Sequence, residues 1–222
     1  MHVYKRRWMA GALCIVLLGV AGSVFTSLAH RPHTQKQPPG IAHVISATTE
    51  TPSEAPPAKD TYVSTAAPNE PRYIRLPSIQ AEGFIQKMGI DQNQQIAAPS
   101  NVNLAGWYVN SVLPGQPGLS IMDGHVDGLT SPGIFRRLSQ LKAGDQFVIE
   151  LGSGTQLNYQ VASVGLVADD QAAAVLFSQD PKVHSQLNLI TCGGTFNRTS
   201  KSYEQRVIVT AKLLPLSPQD AE

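Results

Sequence analysis

Two residues in this sequence have the type and setting for nucleophilic chemistry, Cys192 and His125. An ionised thiol is a strong nucleophile and an imidazole moves protons near neutral pH, so the pair suits acyl transfer through a thioester. Cys192 stands in Leu187-Asn188-Leu189-Ile190-Thr191-Cys192-Gly193-Gly194, an apolar strand pattern that stops in two glycines. Glycines beside a nucleophile let a reactant approach the backbone closely. The competing reading is a buried, inert cysteine.

A thiol needs a base or cation beside it, and the folded part of the chain offers two histidines. His184 lies eight positions before Cys192, and at about 3.3 Å per strand residue that is roughly 26 Å away. His125 lies in Ser120-Ile121-Met122-Asp123-Gly124-His125-Val126-Asp127-Gly128, again at the end of an apolar strand and bracketed by glycines. Its alternatives are a turn histidine or a metal site with Asp123 and Asp127, which would share its face of the strand; no further His or Cys stands near to complete a coordination set. Stabilising an oxyanion calls for a donor such as arginine. Arg206 follows the cysteine strand on a second strand, and a hairpin between the two would return it to the thiol; Arg198, in the intervening loop, is the other candidate, and a solvated strand arginine is the plain reading of both.

The elements that must hold these groups are short. Strand patterns occupy 73–76, 83–90, 104–107, 119–126, 146–151, 157–167, 186–192 and 205–213, separated by Gly, Pro and Asn. Alternation is clearest in the last, where Val207, Val209, Ala211 and Leu213 share one face and Arg206, Ile208 and Thr210 the other. Only 134–141 and 171–177 read as helical. Eight short strands with regular turn signals predict an all-β domain, an antiparallel barrel or sandwich.

Upstream of this domain the composition changes twice. Lys5, Arg6 and Arg7 precede an uncharged run of roughly 20 residues from Trp8 to Ala29, long enough to cross a membrane as a helix with the rest of the chain outside. A cleaved signal peptide is the alternative, since Ser27-Leu28-Ala29 resembles a cleavage site. Residues 30–71 are rich in Pro, Ser, Thr, Ala and Gln, and read as a disordered linker carrying His30, His33 and His43. The organisation expected is an anchor over 1–29, the linker over 30–71, a catalytic domain over 72–215 and a tail over 216–222. Cys14 falls in the anchor, which leaves Cys192 as the lone thiol of an exported domain, an arrangement that favours a reactive cysteine. With 17 Lys+Arg against 16 Asp+Glu the chain has a formal charge of +1, so a nucleic-acid partner is not expected.

Gly124-His125, Thr191-Cys192-Gly193-Gly194 and Arg206 leading Val207-Ile208-Val209 occur in an order that resembles the sortases, membrane-anchored cysteine transpeptidases. Gly133-Ile134-Phe135-Arg136-Arg137-Leu138, Leu141, Gly144-Asp145, Gly106-Trp107-Tyr108 and Pro114-Gly115-Gln116-Pro117-Gly118 extend the resemblance over about 72–214, and the Gly-His-Val-Asp-Gly and Thr-Cys-Gly-Gly forms look most like class F. The resemblance implies an eight-stranded closed β-barrel with one or two short helices, and a site in a groove on its wall. It implies that Cys192 attacks the threonine carbonyl of a Leu-Pro-x-Thr-Gly-like motif on a surface protein. His125 would shuttle the proton, Arg206 would bind the carbonyl and its oxyanion, Thr191 would help orient substrate, and an amine of the cell wall or another protein would accept the acyl group. No cofactor or metal is implied for the chemistry. Asp123 departs from the small or apolar residue the family more often has there, and a carboxylate so close is expected to raise the pKa of His125.

Three rival functions share parts of this pattern. A hydrolytic cysteine peptidase would use the same residues. An L,D-transpeptidase would carry its His and Cys in one motif, whereas 67 positions (192 minus 125) separate them here. A tethered wall-binding module would need no thiol.

Overall fold

The computed structural model describes residues 51–58 and 66–215. The expected anchor over 1–29, most of the linker and the tail lie outside the described residues. Among the described residues no helix is long and apolar enough to cross a membrane.

Eight strands form a closed barrel: β1 (Pro71–Leu76), β2 (Ala81–Met88), β3 (Ala105–Tyr108), β4 (Gly118–Gly124), β5 (Gln146–Leu151), β6 (Gln156–Ala168), β7 (Ser185–Asn197) and β8 (Ser202–Leu213). Around the barrel the order is β1-β2-β3-β4-β7-β8-β6-β5. All eight correspond to strands read from the sequence. The barrel is not wholly antiparallel, because β2 pairs β3 and β4 pairs β7 in parallel. Both pairs are joined by long connections rather than hairpins, as parallel pairing requires.

The alternation read in β8 sorts the side chains correctly. Val207, Val209 and Ala211 enter the barrel core with Leu187, Leu189 and Phe147. Ile208 turns outward, yet it is buried as well, in a second cluster with Ile121, Ile190 and Leu119. The cover on that outer face is α1 (Asp169–Leu176), packed down through Ala172, Ala173 and Leu176. Asp169 and Asp170 stand in its first turn, where negative charge complements the helix dipole.

The helix expected over 134–141 is instead a run of turns ending in a 3-10 turn at Leu138–Gln140. Its backbone is tied to the chain after β4: Gly133 N donates to the Val126 carbonyl at 3.0 Å and Phe135 N to the His125 carbonyl at 3.0 Å. Those bonds, with Phe135 and Leu138 sunk fully into the core, leave the segment no regular helical ladder.

Residues 51–58 belong to the stretch read as linker, and they lie against the barrel. Ser53 N donates to the Ser100 carbonyl and Val102 N to the Ser53 carbonyl, both at 2.9 Å, forming a parallel bridge with Asn101. Asn101 Nδ2 donates to the Ala55 carbonyl at 2.7 Å. The contacts are backbone and amide bonds rather than apolar burial, so no apolar pattern in the sequence marks them.

Candidate active site

Cys192, His125 and Arg206 come from β7, the end of β4 and β8, three neighbours in the barrel wall. Cys192 is the register partner of Arg206 across the β7–β8 hairpin. On the other side Asp123 of β4 pairs in parallel with Ile190 of β7, so two residues further along each strand lie His125 and Cys192. The three residues are thus level with one another on the outer face. The hairpin postulated from sequence is present, and Arg198, the alternative arginine, lies exposed beyond the β7 end.

β7 does not stop at the glycines. It continues to Asn197 after a break in register between Gly193 and Phe196, with Gly194 at φ +74°. A left-handed glycine is the usual device for such a bulge, which bends the strand just past the thiol.

Glycines also fix His125. A Cβ on Gly124 would meet the Phe135 ring at 2.6 Å, and one on Gly133 would meet the His125 carbonyl oxygen at 2.1 Å. The chain on either side of the imidazole is therefore in contact with the turn that follows it. Thr191, expected to help orient substrate, is buried and donates its hydroxyl proton to the Gly124 carbonyl at 2.7 Å. It ties the residue before Cys192 to the residue before His125.

His125 Nε2 lies 2.6 Å from the Pro99 carbonyl oxygen. A carbonyl only accepts, so Nε2 carries the hydrogen and the neutral ring keeps its lone pair on Nδ1. Burial pushes the His125 pKa down, against the opposing effect of the Pro99 carbonyl. This is opposite to the rise expected from Asp123. The Asp123 carboxyl lies over Gly106 of β3, is itself fully buried, and burial drives its pKa well above the carboxylate range. The burial of the imidazole, opposed only by the Pro99 carbonyl, sets the direction of its shift.

Burial also pushes the Cys192 thiol up; the Arg206 guanidinium pulls it down, while Asp169 and Asp123 push it further up. At neutral pH the resting pair is therefore thiol and neutral imidazole, with Arg206 the local group that favours the thiolate. Arg206 is almost fully buried. Its Nη1 donates to the Tyr203 and Gln205 carbonyls, each at 2.9 Å, and its Nη2 meets Asp169 Oδ1 at 2.8 Å. Its buried Nε–H has no hydrogen-bond partner among the described residues. Asp169 was not singled out from sequence. The signal available was its place at the start of α1, the helix that covers the outer ends of β7 and β8.

Two cavities meet here. One of about 630 Å³ is lined by Cys192, Thr191, Gly193, Leu166, Val164 and Val207. The other, of about 860 Å³, is lined by His125, Leu129, Thr130, Phe196, Thr51 and Pro52. Asp127, Arg136 and Tyr203 line both and form the partition between them. Asp127 is paired with Arg136 and accepts a bond from the Tyr203 hydroxyl at 3.0 Å. No group of three His, Cys, Asp or Glu side chains placed to hold a metal occurs among the described residues. The arrangement is suited to acyl transfer: a nucleophile, a base and a cationic donor on one wall, with room on two sides.

The "Sortase domain" family model matches residues 74–214. Among solved structures, a lid mutant of sortase A from Corynebacterium diphtheriae is 26% identical, with a TM-score of 0.52 over 70% of this chain and 76% of that one. The lid mutant of sortase C1 from Streptococcus agalactiae is 22% identical, with a TM-score of 0.50 over 69% of this chain and 73% of that one, a likeness of fold. No curated protein sequence matches the chain.

Proposed function

Because this chain belongs to the sortase family of cysteine transpeptidases, we propose that it cleaves a Leu-Pro-x-Thr-Gly-like sorting motif on a surface protein and transfers the acyl part to an amine. The observation that carries the reading is the level alignment of His125, Cys192 and Arg206 on three adjacent strands. Cys192 Sγ attacks the threonine carbonyl carbon after its proton passes to His125 Nδ1. Arg206 holds the carbonyl oxygen as it gains charge, worth about a hundredfold or more in rate for a well-placed donor. The C–N bond breaks, the leaving amine takes the proton from His125, and a thioester remains on Cys192. An incoming amine then attacks the thioester, gives its proton to His125, and releases the thiolate.

The Gly-His-Val-Asp-Gly and Thr-Cys-Gly-Gly forms around His125 and Cys192 support a class F assignment. The basic tip and the apolar run from Trp8 to Ala29 support a single-pass membrane anchor with the catalytic domain outside the cell. The acceptor in that setting is an amine of the cell wall or of another protein.

Mass spectrometry of the chain incubated with a Leu-Pro-x-Thr-Gly peptide tests the reaction. A thioacyl adduct on Cys192, absent from Cys192→Ala, is the expected result; peptide cleavage that persists in Cys192→Ala overturns it. Added triglycine then distinguishes transfer from hydrolysis by the ligated product.

A further inference from the structure

One nitrogen of His125 is already committed. Its Nε2–H donates to the Pro99 carbonyl at 2.6 Å, which leaves the lone pair on Nδ1, the nitrogen that takes the Cys192 proton in the reaction above. The place of that carbonyl therefore decides which nitrogen can act as base. Pro99 lies in the connection between β2 and β3, outside any strand, and a proline has no N–H through which it could be tied.

The ties fall on the next residue. The Pro99 carbonyl and the Ser100 N–H belong to one planar peptide unit and point to opposite sides of it. Gln86 of β2 takes the N–H end: its side-chain oxygen accepts from Ser100 N at 3.0 Å and from the Ser100 hydroxyl at 3.2 Å. A backbone N–H only donates, so the Gln86 amide must present its oxygen here. One peptide plane is thus strung between two side chains, Gln86 on its N–H and His125 on its C=O. Bonds in such a chain polarise one another, which strengthens the grip on the imidazole.

A second tie comes from the N-terminal stretch. Ser53 N donates to the Ser100 carbonyl at 2.9 Å, and the Ser53 carbonyl accepts from Val102 N at 2.9 Å. The Val102 carbonyl in turn accepts from Ile134 N at 2.8 Å, in the turn whose Phe135 N–H holds the His125 carbonyl. Ring and backbone of the histidine are therefore referenced to the same four residues, 99–102. Gln86 is itself placed by register, opposite Gly106 in the parallel β2–β3 pair.

We propose that Gln86 and, through its backbone, Ser53 are positioning residues for the catalytic base: by clamping Ser100 they hold the Pro99 carbonyl on His125 Nε2–H and keep the free lone pair on Nδ1. The inference rests on the acyl-transfer reading above. Neither residue touches the reacting atoms. The charged and titratable groups placed near the imidazole are Asp123 on β4, Cys192 on β7 and the Asp127–Arg136 pair, and the substitutions below leave all of them intact.

The test uses the full chain and a Leu-Pro-x-Thr-Gly peptide, with Gln86→Met, Gln86→Glu and Ser53→Pro compared against the unsubstituted chain. Gln86→Met keeps the side-chain length and removes the acceptor; Ser53→Pro removes the backbone donor. The kcat for peptide cleavage falls about tenfold in Gln86→Met and about threefold in Ser53→Pro, with the KM for the peptide unchanged, a fraction of what an ångström of misplacement brings. Gln86→Glu, whose carboxylate accepts the same two bonds, restores kcat to within about twofold. The acid limb of the pH–rate profile moves to lower pH in Gln86→Met and Ser53→Pro, because the Pro99 carbonyl favours the protonated ring and its hold is weakened. In ¹⁵N NMR the His125 ring, assigned with His125→Ala, shows Nε2–H alone in the unsubstituted chain and both tautomers in Gln86→Met. An acid limb and a tautomer that stay unchanged in Gln86→Met and Ser53→Pro overturn the proposal, whatever the overall rate does. An unsubstituted chain that forms no Cys192 adduct with the peptide overturns the acyl-transfer reading instead, and the tautomer then reports on the clamp by itself.

Discussion

The two halves of the site are held by different physics. Cys192 and Arg206 are fixed by strand register, each a ladder partner of the other in a hairpin whose neighbours fill the core. His125 stands just past the end of its strand and is held by what packs around it: the Pro99 carbonyl on its ring, the Phe135 N–H on its own carbonyl, the Gly133 N–H on the carbonyl of the next residue, Val126, and Thr191 reaching across to Gly124. A ladder tolerates substitution of any one side chain because the backbone bonds persist, whereas a residue held by close contacts is moved by a single misplaced atom.

Gly133→Ala is the harshest test of the histidine half. The added carbon meets the His125 carbonyl oxygen at 2.1 Å, so the backbone must shift. The expected loss in kcat/KM for peptide cleavage is about a hundredfold, the cost of roughly an ångström of misplacement. Cys192 should keep its rate of alkylation by a small thiol reagent. Equal loss of alkylation would mean the two halves are mechanically one.

On the cysteine half, Asp169→Asn removes the ion pair on Arg206 and a negative charge that pushes the Cys192 thiol up. Two effects of different character follow. The loosened guanidinium lowers kcat/KM by about tenfold, a typical effect for a group that orients another. The basic limb of the pH–rate profile moves to lower pH, because the thiol loses a proton more easily. The acid limb, set by a His125 pKa below its ordinary value through burial, stays in place. A basic limb that moves upward would contradict the charge argument.

Asp123→Asn carries the smallest effect and reports on the strand shared by both halves. Asp123 has a folded-state pKa raised by burial, so the folded chain binds more protons than the unfolded chain above the ordinary carboxylate pKa. Its contribution to stability therefore declines as pH rises from about 4 toward that raised value. Asparagine cannot ionise, so the variant should match the unsubstituted chain near pH 4 and exceed it at neutral pH in urea unfolding. A steeper decline in the variant would refute a raised pKa for Asp123.

The same division governs what the sequence reveals. Short β-like runs bounded by Gly, Pro and Asn located all eight strands, and a hairpin sufficed to put Arg206 opposite Cys192. The contacts around His125 depend on tertiary packing that no local pattern encodes. Thus 134–141 has helical composition but is pulled into turns, and Asp123 sits two residues from His125 yet faces β3. Asp169 became visible only when α1 was seen to lie on β7 and β8. The attachment of residues 51–58 was hidden for another reason: their low apolar content reads as linker, while they are held through the backbone, Asn101 and Glu54.

The parallel pairing of β4 with β7 also has a consequence for the order of events as the chain acquires its shape. Gly124 and Thr191, which meet across that pair, are 67 positions apart. Local hairpins close quickly, whereas such a distant parallel contact carries a large loop-closure cost and forms late. Cys192 and Arg206 can come together early in their hairpin, but the base arrives only when β4 is zipped to β7. A nascent chain therefore carries a thiol without its proton acceptor, and catalytic competence should appear in refolding as the slowest phase, after β-structure is already detectable.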